Sequence, residues 1–377
     1  MRKMAMCAVV SIAAAGAGCS SLPRGGFDEA RTAPIARAIT SVIAERRMPG
    51  AAFRLEQGPH VYEGTFGKDS YREDATPVAP DTIYDVASLT KVLATAPSVL
   101  LLAERGRIDL DAPVVRYFPE CAGGGRDAIL VRHLLTHTSG LKAGIPAKPA
   151  WQGADAAHAL ACAAEPTHLP GTYFRYSDIN YILLGRLVET VSGERLDAFA
   201  ARHIFAPLGM RDTGFLPLQR GWQARVAPTQ DDHRGEVHDP TVHRMGGVAG
   251  AAGLFSTARD VARFARMLLA GGELDGVRVL REASVRLMTT AQTPAGIAEL
   301  RGMGMDIDSP FARPRGAIFP VGSYGHTGFT GCFLWVDPGS RTFYVFLSNR
   351  VYPDGASNIL GLYGELGTLA ARAVSGS

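Results

Sequence analysis

Apolar residues recur every three or four positions in some stretches of this chain and every second position in others. Residues 32–47 place Ile35, Ala36, Ile39, Val42 and Ile43 on one helical face, and Pro49-Gly50 stops the run. Residues 51–55 and 60–66 read as two strands around a turn at Gly58-Pro59. Residues 88–104 read as a helix, 106–118 as a turn region, and 129–136 as a short helix. Residues 257–269 predict an amphipathic helix with Val261, Phe264, Ala265 and Leu268 inward. The middle of the chain, about 100–270, is mostly helical with long loops. The period then changes. Gly331-Cys-Phe-Leu-Trp-Val336 and Thr342-Phe-Tyr-Val-Phe-Leu-Ser348 read as strands joined by the turn Asp337-Pro-Gly-Ser340. Residues 355–374 predict a closing helix. Strands at both ends with helices between them predict an α+β fold of the α/β-sandwich type. Its mainly antiparallel sheet is formed from both termini and flanked by helices, with an inserted, mostly helical domain. The sheet part is expected over about 32–85 and 300–377, and the helical part over about 100–270.

Composition adds exclusions. A length of 377 residues fits one large or two interleaved domains. A net charge of +3, with no block of five or more basic residues, gives no footprint for nucleic acid. Residues 1–19 read as an export signal, with Arg2 and Lys3 followed by an apolar run over 5–15 too short to span a bilayer. Gly16-Ala-Gly-Cys19 resembles a bacterial lipobox, with Gly16 where a leucine is usual. Cys19 is therefore expected to be lipidated, with cleavage near Ala17 and release as the alternative. Residues 20–31 follow as a tether. The expected location is outside the cytoplasm, in the periplasm or lipid-anchored to the cell envelope, and the expected state is a monomer. Cys121, Cys162 and Cys332 remain, an odd number that excludes a complete internal disulfide set.

Candidate chemistry begins at Ser88-Leu-Thr-Lys91. Three residues is about one helical turn, so hydroxyl and amine share a face. A lysine of lowered pKa can activate a serine, and a helix start favours a developing oxyanion. Alone, the pattern is common, and a surface serine beside a solvated lysine is its plainer reading. The metal alternatives are weaker. Residues 231–239 hold Asp231, Asp232, His233, Glu236, His238 and Asp239, which read as a solvated loop. His133 and His137 read as structural. No Gly-rich phosphate loop and no zinc-type spacing is present, so neither a cofactor nor a metal is expected.

Five motifs in order change the weight of the first. They are Asp85-Val-Ala-Ser-Leu-Thr-Lys91, Leu134-Leu-Thr-His-Thr-Ser-Gly-Leu141, Tyr173-Phe-Arg-Tyr-Ser-Asp-Ile-Asn-Tyr181, Gly250-Ala-Ala-Gly-Leu-Phe-Ser256 and Gly325-His-Thr-Gly-Phe-Thr-Gly331. Together they resemble the serine β-lactamase and penicillin-binding protein superfamily, in its class C-like branch of peptidases and esterases. The resemblance implies Ser88 as nucleophile and Lys91 with Tyr176 as the proton-handling pair, either one being the base. It also implies an oxyanion hole from the N–H groups of Ser88 and Phe329. Gly328 is expected to let its strand approach substrate, next to Thr327. His326 stands where a lysine is usual and is largely neutral at pH 7. Asp178 stands where an asparagine is usual; it either pairs with Lys91 or leaves Asn180 to take part of the polar role. His238 and Asp239 are further expected substrate contacts. The implied function is a serine hydrolase forming an acyl-enzyme on D-alanyl peptides, β-lactams or small esters. The alternative is a wall-binding or regulatory protein that keeps the fold without the activity. A Ser-His-Asp hydrolase is disfavoured, because Val321-Gly-Ser-Tyr-Gly325 lacks the first glycine of the elbow motif.

Overall fold

The computed structural model describes residues 25–375; the leader, Cys7 and Cys19 lie outside the described residues. Seven strands form one sheet: β1 (Gly50–Gln57), β2 (His60–Gly67), β3 (Leu300–Arg301), β4 (Asp306–Asp308), β5 (Tyr324–Gly328), β6 (Cys332–Asp337) and β7 (Thr342–Ser348). Their order is β2-β1-β7-β6-β5-β4-β3, and neighbouring strands are antiparallel. The first and last parts of the chain thus share one sheet, joined where β1 pairs with β7 and Phe53 faces Phe346.

Both faces of the central strands are buried, so their apolar runs alternate between two cores rather than between core and water. Phe333, Trp335, Tyr344 and Phe346 pack under α1 (Glu29–Ala44) and the C-terminal helix (Leu360–Val374). Leu334, Val336, Val345 and Leu347 face the other way, into a core shared with the helical part. There α2 (Ala96–Glu104) and α3 (Asp178–Ser192) cross, and α4 (Ala258–Leu269) lies on the sheet. The C-terminal helix is α5 in this numbering.

Helix boundaries follow their caps. α1 begins before residue 32 because the Asp28 carboxylate accepts from the Ala30 N–H at 2.9 Å. Thr257 caps α4, accepting from the Asp260 N–H at 3.2 Å. α5 begins after residue 355 without a side-chain cap; its entry is a turn in which the Asn358 side chain accepts from the Leu360 N–H at 3.0 Å. The expected helix over 88–104 is not uniform. It opens as a tight turn at Ala87–Leu89, widens over Lys91–Thr95, and becomes regular only in α2. The run Ala87–Glu104 is long and apolar enough to cross a membrane, yet 83% of it is buried inside the protein. Cys121 and Cys162 form a disulfide, and Cys332 is free and buried.

Candidate active site

The nucleophile turn is held in an unfavourable conformation. Ala87 has a left-handed φ of +46°, which costs a non-glycine residue on the order of 1 kcal/mol or more. One oxygen of the buried Asp85 carboxylate accepts from its N–H at 2.8 Å. The other accepts from the His238 N–H at 2.8 Å, and the Asp85 carbonyl accepts from the Thr330 hydroxyl at 2.6 Å. Asp85 therefore joins the nucleophile turn, the 235–239 loop and the loop after β5. Burial pushes its carboxyl up to about 6, against the two N–H bonds that pull it down.

The widened turn after Ser88 carries Lys91 into the interior, where it is fully buried. Its ammonium lies 3.0 Å from Ser88 Oγ, 2.7 Å from the Ala251 carbonyl and 2.8 Å from Asp178 Oδ1. Three acceptors meet the three protons of an ammonium. Burial works against that charge, but Asp178 and then Tyr176 outweigh it and hold Lys91 above the ordinary lysine range. The rings of Tyr176 and Tyr181 flank the ammonium, with centroids 5.1 and 5.6 Å away. The approach of residue 251 depends on Gly250, where a Cβ would lie 2.0 Å from the Tyr181 carbonyl.

Tyr176 sits just before α3, half-buried, between His137 and Phe311, whose ring centroids lie 4.4 and 5.0 Å away. His137 is buried with φ +59°. Its Nδ1 accepts from the Ser177 N–H at 3.1 Å and lies 3.2 Å from Asn180 Nδ2. Burial, then Arg301 and Lys91, hold it well below the ordinary histidine range. The Asn180 carbonyl oxygen accepts from Ser139 at 2.6 Å. Both ends of Asn180 are thus used inside the protein, and the structure does not bring it to the cleft. Asp178 takes the other expected course and pairs with Lys91.

His326 is also not at the surface of the site. It is 3% exposed, and its Nδ1–H donates to the Thr327 carbonyl at 2.8 Å. Burial, then Arg301 and Lys91, keep it neutral, well below the ordinary range. Its Nε2 is buried without a partner. The neighbouring Thr327, Gly328 and Phe329 do line the cleft, together with Ser88 and Tyr176, in a cavity of about 580 Å³. Gly328 also serves a contact inside the protein. A Cβ there would lie 2.4 Å from the Val86 carbonyl, so glycine lets β5 close on the nucleophile turn. The His238 ring stacks on Phe329 at 5.6 Å, and Nε2 lies 3.3 Å from Gln230. Asp239 caps the short helix Pro240–Arg244, accepting from Val242 at 2.8 Å. Burial and then Asp178 raise its carboxyl.

Three residues of the site have no role assigned from sequence, Asp85, Arg313 and Arg350, and His137 is read there as structural. Asp85 and His137 stand inside recognisable motifs, so their place was legible. The two arginines line the cavity without such a signal, Arg313 from the short turn Arg313–Arg315 and Arg350 from the segment after β7. Among the described residues, Cys121, His158 and Cys162 form the group with metal-ligand character, but its two sulfurs are bonded to each other.

The model of the beta-lactamase family matches residues 35–363. An Escherichia coli K12 protein named "Putative D-alanyl-D-alanine carboxypeptidase" is 30% identical over 305 residues, covering 71% of this chain and 69% of that protein. A penicillin-binding protein homologue from Caulobacter crescentus superposes with a TM-score of 0.75 at 22% identity, covering 93% of this chain and 99% of that one. A family VIII carboxylesterase superposes with a TM-score of 0.71 at 21% identity, covering 93% and 99%. The last two likenesses show the shared fold.

Proposed function

The chain belongs to the beta-lactamase family of serine hydrolases, and from that premise we propose that it is an exported carboxypeptidase of D-alanyl peptides acting through an acyl-enzyme on Ser88. One observation carries the reading: the Ser88 hydroxyl lies 3.0 Å from a buried ammonium whose remaining acceptors are Ala251 and Asp178. Lys91 stays charged, so it donates to Ser88 rather than taking its proton. Tyr176 is then the base. It takes the Ser88 proton as Oγ bonds to the substrate carbonyl, and the oxyanion is met by the N–H groups of Ser88 and Phe329. The proton passes on to the departing amine as the C–N bond breaks. Water reverses the sequence and frees the serine.

Charge in the cavity favours a peptide with a free carboxylate. His326 is neutral and buried. Arg313, exposed on the cavity wall, has no ion pair among the described residues, and no Asp or Glu lines that cavity. A terminal carboxylate meets Arg313 while the scissile bond lies at Ser88. The apolar lining from Phe311, Ile359 and Tyr363 favours small esters as a second substrate class. The Cys121–Cys162 disulfide supports an oxidising compartment and hence the export signal read over residues 1–19.

The test is kcat/KM on the purified chain for D-Ala-D-Ala peptides, nitrocefin and p-nitrophenyl acetate. The expected order puts the peptides first, with Arg313→Ala raising KM for peptides and not for the ester. Ester turnover without any peptide turnover would replace carboxypeptidase by esterase. No turnover of any of the three would favour the non-catalytic alternative.

A further inference from the structure

The loop after β5 is short, yet it is fixed from several sides. Gly331 N–H donates to the Gly328 carbonyl at 3.1 Å, closing a turn with Phe329 at its first corner. The N–H at that corner is not used by the turn's own hydrogen bond. The Phe329 carbonyl accepts from Arg350 Nε at 2.8 Å. Arg350 Nη1 donates to the Ser357 carbonyl at 2.5 Å, and the guanidinium lies 4.4 Å from the centre of the Phe329 ring. The His238 ring covers the same side chain at 5.6 Å. Phe329 is nevertheless 61% exposed, so packing alone does not hold it. Arg350 itself has a firm base: Asn349 before it is buried and donates to the carbonyls of Asp69 and Pro228 at 2.7 and 2.8 Å.

We propose that Arg350 is a positioning residue of the oxyanion hole, holding the Phe329 carbonyl so that the N–H of the same residue stays aimed at the Ser88 cleft. The inference rests on the acyl-enzyme reading above. The Phe329 N–H lies in the peptide plane of the Gly328 carbonyl, which Gly331 holds, and Arg350 holds the next plane through the Phe329 carbonyl, so with both planes tied the φ and ψ of Phe329 have little room to swing the N–H. An oxyanion-hole donor acts only where its hydrogen lies within bonding distance of the developing charge. An exposed aromatic residue on a turn would otherwise sample several orientations. The clamp therefore acts on the transition state more than on substrate binding. Two of the five N–H donors of Arg350 are spent on backbone carbonyls, and the ester used in the test carries no carboxylate for the others to bind, which separates this role from that of Arg313.

The test uses a matched p-nitrophenyl ester and its thionoester, in which sulfur replaces the carbonyl oxygen. Sulfur is a poorer acceptor, so an oxyanion hole that is working shows a large oxo-over-thiono preference in kcat. Arg350→Met is expected to lower kcat for the ester by roughly 10- to 100-fold with KM within about 3-fold. The thionoester rate should change little, so the preference collapses. A preference kept at the wild-type value, whatever happens to melting temperature, overturns the proposal. If Arg350→Met does not fold, Arg350→Lys is read instead. One ammonium cannot reproduce the forked contact to two carbonyls, so its preference should fall between those limits. A wild-type preference in that variant overturns the proposal equally. The premise fails separately: ester turnover retained in Ser88→Ala, or no oxo-over-thiono preference in the wild-type protein, sinks the acyl-enzyme reading itself.

Discussion

The two faces of the central sheet do different work. Under α1 and α5 the sheet presents Phe53, Phe333, Trp335, Tyr344 and Phe346, an aromatic layer with few polar atoms to satisfy. On the opposite side lie Lys91, His137, Arg301, Asp306 and His326, all buried. Several of their polar atoms lack hydrogen-bond partners, among them His137 Nε2 and His326 Nε2, while Arg301 and Asp306 meet in a buried ion pair at 3.4 Å. The left-handed Ala87 and His137 lie on this second side too. Buried polar groups without partners and strained backbone are costly, so a fold keeps them where they are used. Stability is made on one face, and part of it is given up on the other to hold a lysine, a serine and a tyrosine together.

Four substitutions break or sharpen that division. Ser88→Ala should reduce kcat/KM for any turned-over ester by at least about 10⁴-fold while leaving the melting temperature unchanged. A loss of stability alongside activity would mean that the nucleophile turn also carries the fold. Trp335→Ala is the mirror case. It removes a fully buried ring whose Nε1 donates to Ser323 at 3.1 Å, and it should cost about 3–5 kcal/mol in urea unfolding. The folded fraction should keep its kcat; a kcat that falls in proportion to stability would erase the distinction between faces.

Asp178→Asn tests the charge state of Lys91. Asp178 raises the lysine, so its ammonium persists until pH climbs through that raised value, and the stability of the ion pair is lost only there. Without the carboxylate, burial dominates and the ammonium is lost at lower pH. The alkaline limb of kcat/KM should move down by roughly one to three pH units. A limb that stays put would show that Asp178 is not what holds the charge.

Asp85→Asn is the smallest effect. The folded protein holds this carboxyl at about 6, above its unfolded value, so folding binds a proton that the unfolded chain has released. Stability therefore falls as pH rises between roughly pH 4 and about pH 6, by on the order of 2 kcal/mol from this group. Asp260, also raised to about 6 by burial, adds a slope of the same sign. The variant should lose about half of the combined slope in urea midpoints measured across that range. An unchanged slope would remove Asp85 from the account.

Much of this arrangement was readable from residue order. The period switch near residue 331 placed β6 and β7, and the motif around Ser88 placed the nucleophile beside Lys91. What could not be read has physical causes. Asn180 and His326 are polar residues in motif positions, and nothing local says that tertiary packing uses up Asn180 and buries His326. The widened turn at Lys91–Thr95 follows from the demands on Lys91 in three dimensions, and an apolar helical pattern hides it. Arg313 opens the short turn Arg313–Arg315 and Arg350 follows β7, and each gains meaning only once the chain has brought it to the cavity.

The central claim is that Ser88 carries the acyl group. Intact-protein and peptide mass spectrometry after rapid mixing with a labelled penicillin, or with a D-alanyl thioester, reads this directly. The account predicts one adduct per chain, mapped to the peptide that contains Ser88 and absent from Ser88→Ala. An adduct on another residue, or turnover of the thioester with no covalent species and undiminished in Ser88→Ala, would contradict it.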